Sequence, residues 1–277
     1  MGARWAAIIV SISLLIAVLA AAANVALWFD RQMLNSANFA EGVTEALQTE
    51  ETRDAIADVA VGKAVEAVPL IGFFEDPLRD LVVVVLDSPA LDSTNVAVAG
   101  SIHRVLVTGE QSPITLSLIA VKDALLGPIA DAAPTLVNQI PDDFFDAVEI
   151  IEAGALPSLA FWADIGPWVG ALAAALAVFL AAVLLILSPY RAWSLVAIGL
   201  ASFVAVGLSY AAVPLGRSFA ESQVSGELAT IITTASYDIL ARSLVDQTRI
   251  LIVLGVVLTA VGAVWLAVTY ATSAREA

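Results

Sequence analysis

Four stretches of this chain contain no charged residue: Trp5 to Phe29, Trp168 to Leu187, Trp193 to Val213 and Ile250 to Tyr270. Each is roughly 20 residues or longer, the length a helix rising about 1.5 Å per residue needs to cross about 30 Å of hydrocarbon. With a mean hydropathy of +0.91 and only 14% charged residues, the chain is too apolar for an ordinary water-soluble domain of its length. It reads as an integral protein of the plasma membrane with four transmembrane helices.

The few charges sort by side. Arg4, Arg191 and Arg275 flank the runs in very short segments, and short basic flanks stay cytoplasmic. Both termini are therefore expected in the cytoplasm. Residues 30–164 hold 22 acids against six bases, so essentially the whole net charge of −15 is expected outside the cell. Such a surface repels nucleic acid and anionic headgroups and favours cations or basic partners. It also suits simple solubility or a salt-rich habitat.

The chain contains no cysteine, which excludes both a disulfide framework and a thiolate metal site. All six tryptophans, Trp5, Trp28, Trp162, Trp168, Trp193 and Trp265, lie at or near the ends of the runs, where amphipathic rings favour the membrane interface. Small residues around Ala21 and Ala23 suit signal peptidase, but the uncharged run exceeds the usual 7 to 15 residues of a signal peptide. An uncleaved first helix is expected. "SPYR" at 188–191 leaves almost no chain between spans two and three, so these form a hairpin.

The expected fold class is therefore an all-α membrane protein with a mostly α-helical extracytoplasmic domain. Its divisions are transmembrane helix 1 at 1–29, the extracytoplasmic domain at 30–164, the hairpin of spans two and three at 165–213, an extracytoplasmic amphipathic segment at 214–249, and helix 4 with a short cytoplasmic tail at 250–277. Within the domain, Ser36 is expected to cap one helix, and Thr49 with Glu50 and Glu51 to start another that stops before Pro69. Asp76-Pro77 and Ser88-Pro89 are further starts, a capping residue followed by proline; the second opens a helix that Gly109 ends. "PITLSL" at 113–118 and "DAVEII" at 146–151 suit two short strands that pair. Leu228, Ile231, Ile232, Ala235, Ile239 and Leu240 recur at helical spacing, giving the last segment an apolar face that suits the domain or the outer interface and leads toward span four.

His103 is the only histidine. Zinc needs three or four N, S or O ligands, and no second histidine, cysteine or nucleophile elbow is present. With Ala99, Leu106 and Val107 along its stripe, His103 is expected to be packed or locally hydrogen-bonded, with pH sensing as the remaining role. Asp142, Asp143, Asp146, Glu149 and Glu152 form the best candidate cation site, Asp146 and Glu149 sharing a helical face. No calcium-loop pattern accompanies them, and a solvated helix start is the simpler reading. No catalytic, cofactor-binding or metal residue is assigned and no cofactor is expected.

Inside the runs there is no Asp, Glu, Lys, Arg or His; the polar side chains include Ser11, Ser13, Asn24, Ser194, Ser202, Ser209 and Thr259. Gly199, Gly207, Gly255 and Gly262 suit close helix packing. Ion-coupled transport normally needs charge or a broken helix at mid-membrane, so the spans read as an anchor.

Two stretches, "LNSANFAEGVTEALQTEETRDAIADVAVGKAV" at 34–65 and "NVAVAGSIHRVLVTGE" at 95–110, are similar to a loose group of uncharacterised actinobacterial-type four-span integral membrane proteins. The resemblance implies a helical extracytoplasmic domain between spans one and two, and no activity. The chain departs from that group at Val96, Ala97 and Val98, where aromatic residues are usual. The expected partners are the lipid bilayer, another envelope protein or further copies of the chain, and not nucleic acid. The expected role is a non-enzymatic cell-envelope protein whose acidic domain binds or scaffolds another component; the alternative is an oligomeric transporter or channel subunit that the domain gates.

Overall fold

The computed structural model describes residues 2–122, 126–127, 145–146 and 148–276. The chain divides into two compact units: residues 1–31, 162–216 and 241–277 form one, and 32–161 with 217–240 the other.

The first unit is built from helices α1 (Ala3–Phe29), α6 (Ala160–Leu187), α7 (Arg191–Gln223) and α8 (Glu227–Glu276), the last three of which also extend beyond it. All four are long and apolar enough to cross a membrane. The helices exceed the uncharged runs. Helix α7 continues through Pro214 to Gln223, although proline there removes the backbone bond to the Tyr210 carbonyl. The segment 214–249 is thus split between the end of α7, a turn at 224–226 and the start of α8, which runs without a break into the fourth apolar stretch.

The seam of this unit is narrow. Ile9 and Ile16 on α1, Ala177 and Leu184 on α6 and Ile198 on α7 form one buried cluster, each pair seven residues apart and so on one helix face. The opposite faces carry exposed Leu14, Val18, Leu172, Phe179, Leu200 and Val257. Beside this cluster the buried positions are mostly small, Ala17, Ala173, Ala201, Ala205, Ser194 and Ser209 among them, while many large apolar side chains point outward. A water-soluble bundle would bury more of those large side chains.

The second unit packs conventionally. Helix α2 (Ser36–Leu47) and helix α3 (Glu50–Ala67) are followed by a 3₁₀ corner at Pro69–Phe74, helix α4 (Glu75–Leu86), a 3₁₀ turn at Pro89–Leu91 and helix α5 (Asp92–Thr108). Helix α2 lies on α5 and α3 on α4, burying Phe39, Val43, Ile56, Val61, Val98 and Ile102. Strand β1 (Ile114–Leu116) pairs antiparallel with β2 (Val148–Ile151), with a bulge after Ile114, and Ile114, Leu116, Val148 and Ile150 are buried. The first turns of α8 join this unit through buried Leu228, Ile232 and Leu240. At Gly42 on α2 a β-carbon would stand 2.5 Å from Leu240 Cδ2, so a larger residue there would require the Leu240 side chain to shift.

The helix starts follow capping chemistry with three corrections. Thr49 accepts from the Thr52 N–H; Ser88 accepts from the Ala90 N–H but caps the 3₁₀ turn Pro89–Leu91, whereas α5 itself starts at Asp92 without a side-chain cap. Asn35, not Ser36, caps α2: its backbone is extended (φ −79°, ψ 113°) and its side chain accepts from Ala37 N–H and Asn38 N–H. The residue that leaves helical geometry first takes the cap. Likewise α4 starts at Glu75, so Asp76 lies inside its first turn rather than before it; there its charge still favours the positive end of the helix dipole. Gly109 closes α5 with φ 72°, a left-handed geometry that glycine adopts at least cost.

Candidate functional site

A polar cluster joins three helices of the apolar unit. Asn24 on α1 donates through Nδ2 to Ser209 Oγ on α7 (3.1 Å) and to Thr248 Oγ1 on α8 (3.0 Å). Gln247 Nε2 donates to both the Asn24 backbone carbonyl (2.9 Å) and Asn24 Oδ1 (3.0 Å). Thr248 in turn donates to the Leu244 carbonyl at 2.7 Å. One helical turn along, the Trp28 indole N–H donates to Ser243 Oγ at 3.0 Å.

Asn24, Ser209 and Thr248 are all buried. An amide stripped of water without partners costs several kcal/mol (about 2 to 7), and here both donor hydrogens of Asn24 are used. Both side-chain amides, Asn24 and Gln247, direct their N–H donors into the cluster. It sits two to five residues from one end of the three apolar stretches, near Trp28 and not at their middle.

Close backbone contact supports the same junction. A β-carbon on Gly199 of α7 would stand 2.7 Å from Thr259 N and 2.9 Å from the Gly255 carbonyl; one on Gly262 would stand 2.9 Å from the Ala192 carbonyl. Helices α7 and α8 therefore cross at a distance only glycine permits, the small-residue packing of helices that lack a hydrophobic drive to associate. Gly170 on α6 similarly faces Ala26 of α1, at 3.2 Å for a β-carbon.

Among the polar residues of the uncharged runs, Asn24 and Ser209 are brought together here, and Ser202 bonds back to the Ile198 carbonyl. Ser13 Oγ and Thr259 Oγ1 are buried and have no partner among the described residues. Gln247, Thr248 and Ser243 lay outside the runs because Arg249 ends the fourth. The signal was the stripe itself: stepping back from Gly262, Thr259 and Gly255 by seven more residues reaches Thr248.

His103 lies on α5, half-buried. Its Nε2 is 3.2 Å from the Leu34 carbonyl; a carbonyl only accepts, so Nε2 carries the proton and donates. Leu34 ends a π-helical turn, Asp30–Leu34, and its carbonyl lies at the break before α2, where helical partners run out. The imidazole ring also packs at 5.2 Å from the Phe39 ring. His103 thus ties the break to the core of the domain.

The acidic candidates among the described residues are not gathered as one helix face. Glu149 lies in β2, opposite Thr115, so helical i, i+3 pairing with exposed Asp146 does not arise; the alternation of Val148, Ile150 and buried partners on β1 decides for strand. Asp142 and Asp143 lie outside the described residues. Among the described residues no group of three His, Asp or Glu could hold a metal ion.

The ion pairs are structural. Arg53 meets Asp87, and Arg79 on α4 reaches Asp58 and Asp54 on α3. The hydrogen bond and charge of Asp58, then Asp54, push the Arg79 guanidinium above its ordinary pKa. No family model, curated protein or solved structure matches the chain.

Proposed function

We propose that this chain is a non-enzymatic integral membrane protein of the cell envelope, whose acidic helical domain binds or scaffolds another envelope component. The four apolar helices serve as its anchor, with both termini cytoplasmic and the domain outside. The observation that carries this reading is the interhelical polar cluster of Asn24, Ser209, Gln247 and Thr248. A permeation or coupling site needs polar groups that exchange partners with a substrate, whereas this one joins α1, α7 and α8 through bonds to each other.

The orientation follows from Arg4, Arg191 and Arg275, which lie in the shortest segments. Purification of the tagged protein in mild detergent, with mass spectrometry of whatever co-elutes in stoichiometric amount, tests the scaffold role. One reproducible envelope partner supports it; a lone symmetric oligomer that conducts ions in liposomes replaces it with the channel reading. That second reading draws on α8, whose apolar window is only 11% buried and so has surface for further copies.

A further inference from the structure

The corner between α3 and α4 carries an apolar seam that faces away from its own core. Leu70 and Phe73 lie three residues apart in the 3₁₀ turn, a spacing that eclipses side chains on one face, and both are exposed, Phe73 at 84%. Pro77, Asp80 and Val84 continue the line along α4 at steps of four, three and four residues and are also exposed. Positions 70, 73, 77, 80 and 84 thus follow the 3–4 alternation by which one helix presents a seam to another. Between them on the inner face, Ile71, Leu78, Val82 and Val85 are buried, so the seam is surplus to the core.

Its surroundings carry one sign. Glu66, Glu75, Asp76 and Asp80 are exposed and have no base in ion-pair range among the described residues. The one base of the segment 66–87, Arg79, is turned toward Asp54 and Asp58 on α3. An anionic lipid surface is repelled by this collar, and a second copy would set acid against acid across the seam. Complementarity leaves a basic partner.

We propose that the seam Leu70, Phe73, Pro77 and Val84 with its collar Glu66, Glu75, Asp76 and Asp80 docks an amphipathic helix of another protein, one that interleaves apolar residues with lysine or arginine. This deepens the scaffold reading and rests on it. The apolar positions supply contact area, and Asp80, within the line, fixes register against a base, as a single polar residue does in a helical seam.

The test places p-benzoylphenylalanine at position 73 of the full-length protein in its native membranes, with the crosslinked peptide sequenced. The expected product is a segment with at least two Lys or Arg among apolar residues at helical spacing. Its yield falls at least tenfold when Asp76→Lys and Asp80→Lys are combined, and by a smaller factor in the isosteric Asp80→Asn, with helicity unchanged. Crosslinks to lipid, to a second copy, to another part of the same chain or to a segment without basic residues each overturn the proposal, as does yield indifferent to both charge changes. A stoichiometric co-eluting partner that crosslinks elsewhere would overturn the seam and leave the scaffold role standing. No crosslink and no co-eluting protein would end both.

Discussion

The two units solve opposite problems with the same residues. In the domain, Phe39, Val43, Ile56 and Ile102 are inside and acids cover the surface; in the apolar unit, Ala17, Ala205, Ser209 and Asn24 lie inside beside Ile16 and Leu184, while most leucine, valine and phenylalanine side chains are on the surface. Water drives large apolar groups inward and so selects the first arrangement. Where the surroundings are as apolar as leucine, nothing is gained by that, and close contact and hydrogen bonds between helices decide what is buried. Burial alone therefore says little until the solvent is known.

Substitutions can break this contrast. The largest effect is expected in the domain: Phe39→Ala removes a ring buried between α2 and α5 and loses about 3 to 5 kcal/mol, read as a lower denaturation midpoint of the domain signal. Next, Val178→Asp, on an outward face of α6 that is 70% exposed, costs about 2.5 to 3.5 kcal/mol of insertion if that face meets hydrocarbon. A glycosylation-mapped insertion assay measures it. Asn24→Leu keeps the size of the side chain but removes its bonds to Ser209 and Thr248. A loss of about 1 to 2 kcal/mol is expected, seen as a lower melting temperature in detergent, with Ser209→Ala non-additive to it. Smallest is Val84→Asp, at 69% exposure, with a change within about 0.5 kcal/mol if its face meets water. Equal costs for Val178→Asp and Val84→Asp would erase the distinction between the units.

Much of this architecture was legible in the chain. The four uncharged runs became the cores of the four long helices, and Thr49, Ser88 and Gly109 punctuate the domain as their chemistry predicts. The alternation of Ile114 and Leu116 with Val148 and Ile150 correctly suggested the paired strands.

What sequence hid was mostly tertiary. Charge marks where a helix leaves an apolar stretch, not where it ends, so Arg249 separated Gln247 and Thr248 from a helix to which they belong. Two neighbouring residues of capping type, Asn35 and Ser36, are resolved only by which one leaves helical backbone first. The partners of Asn24 lie 185 and 224 residues away, and no local pattern pairs residues at that range. The π-helical carbonyl that His103 binds is equally invisible, because a π turn has no clear sequence signature.

Two outward-facing valines of nearly equal exposure, Val84 and Val178, are expected to meet different solvents. The chain has no cysteine, so Val84→Cys and Val178→Cys variants can each be reacted with N-ethylmaleimide in permeabilised liposomes, where only a thiol in contact with water forms the reactive thiolate. Rapid labelling at position 84, and labelling at 178 only after the bilayer is dissolved and the protein denatured, is the predicted result. Equally rapid labelling at both positions would contradict it and place the apolar unit in water or along an aqueous path.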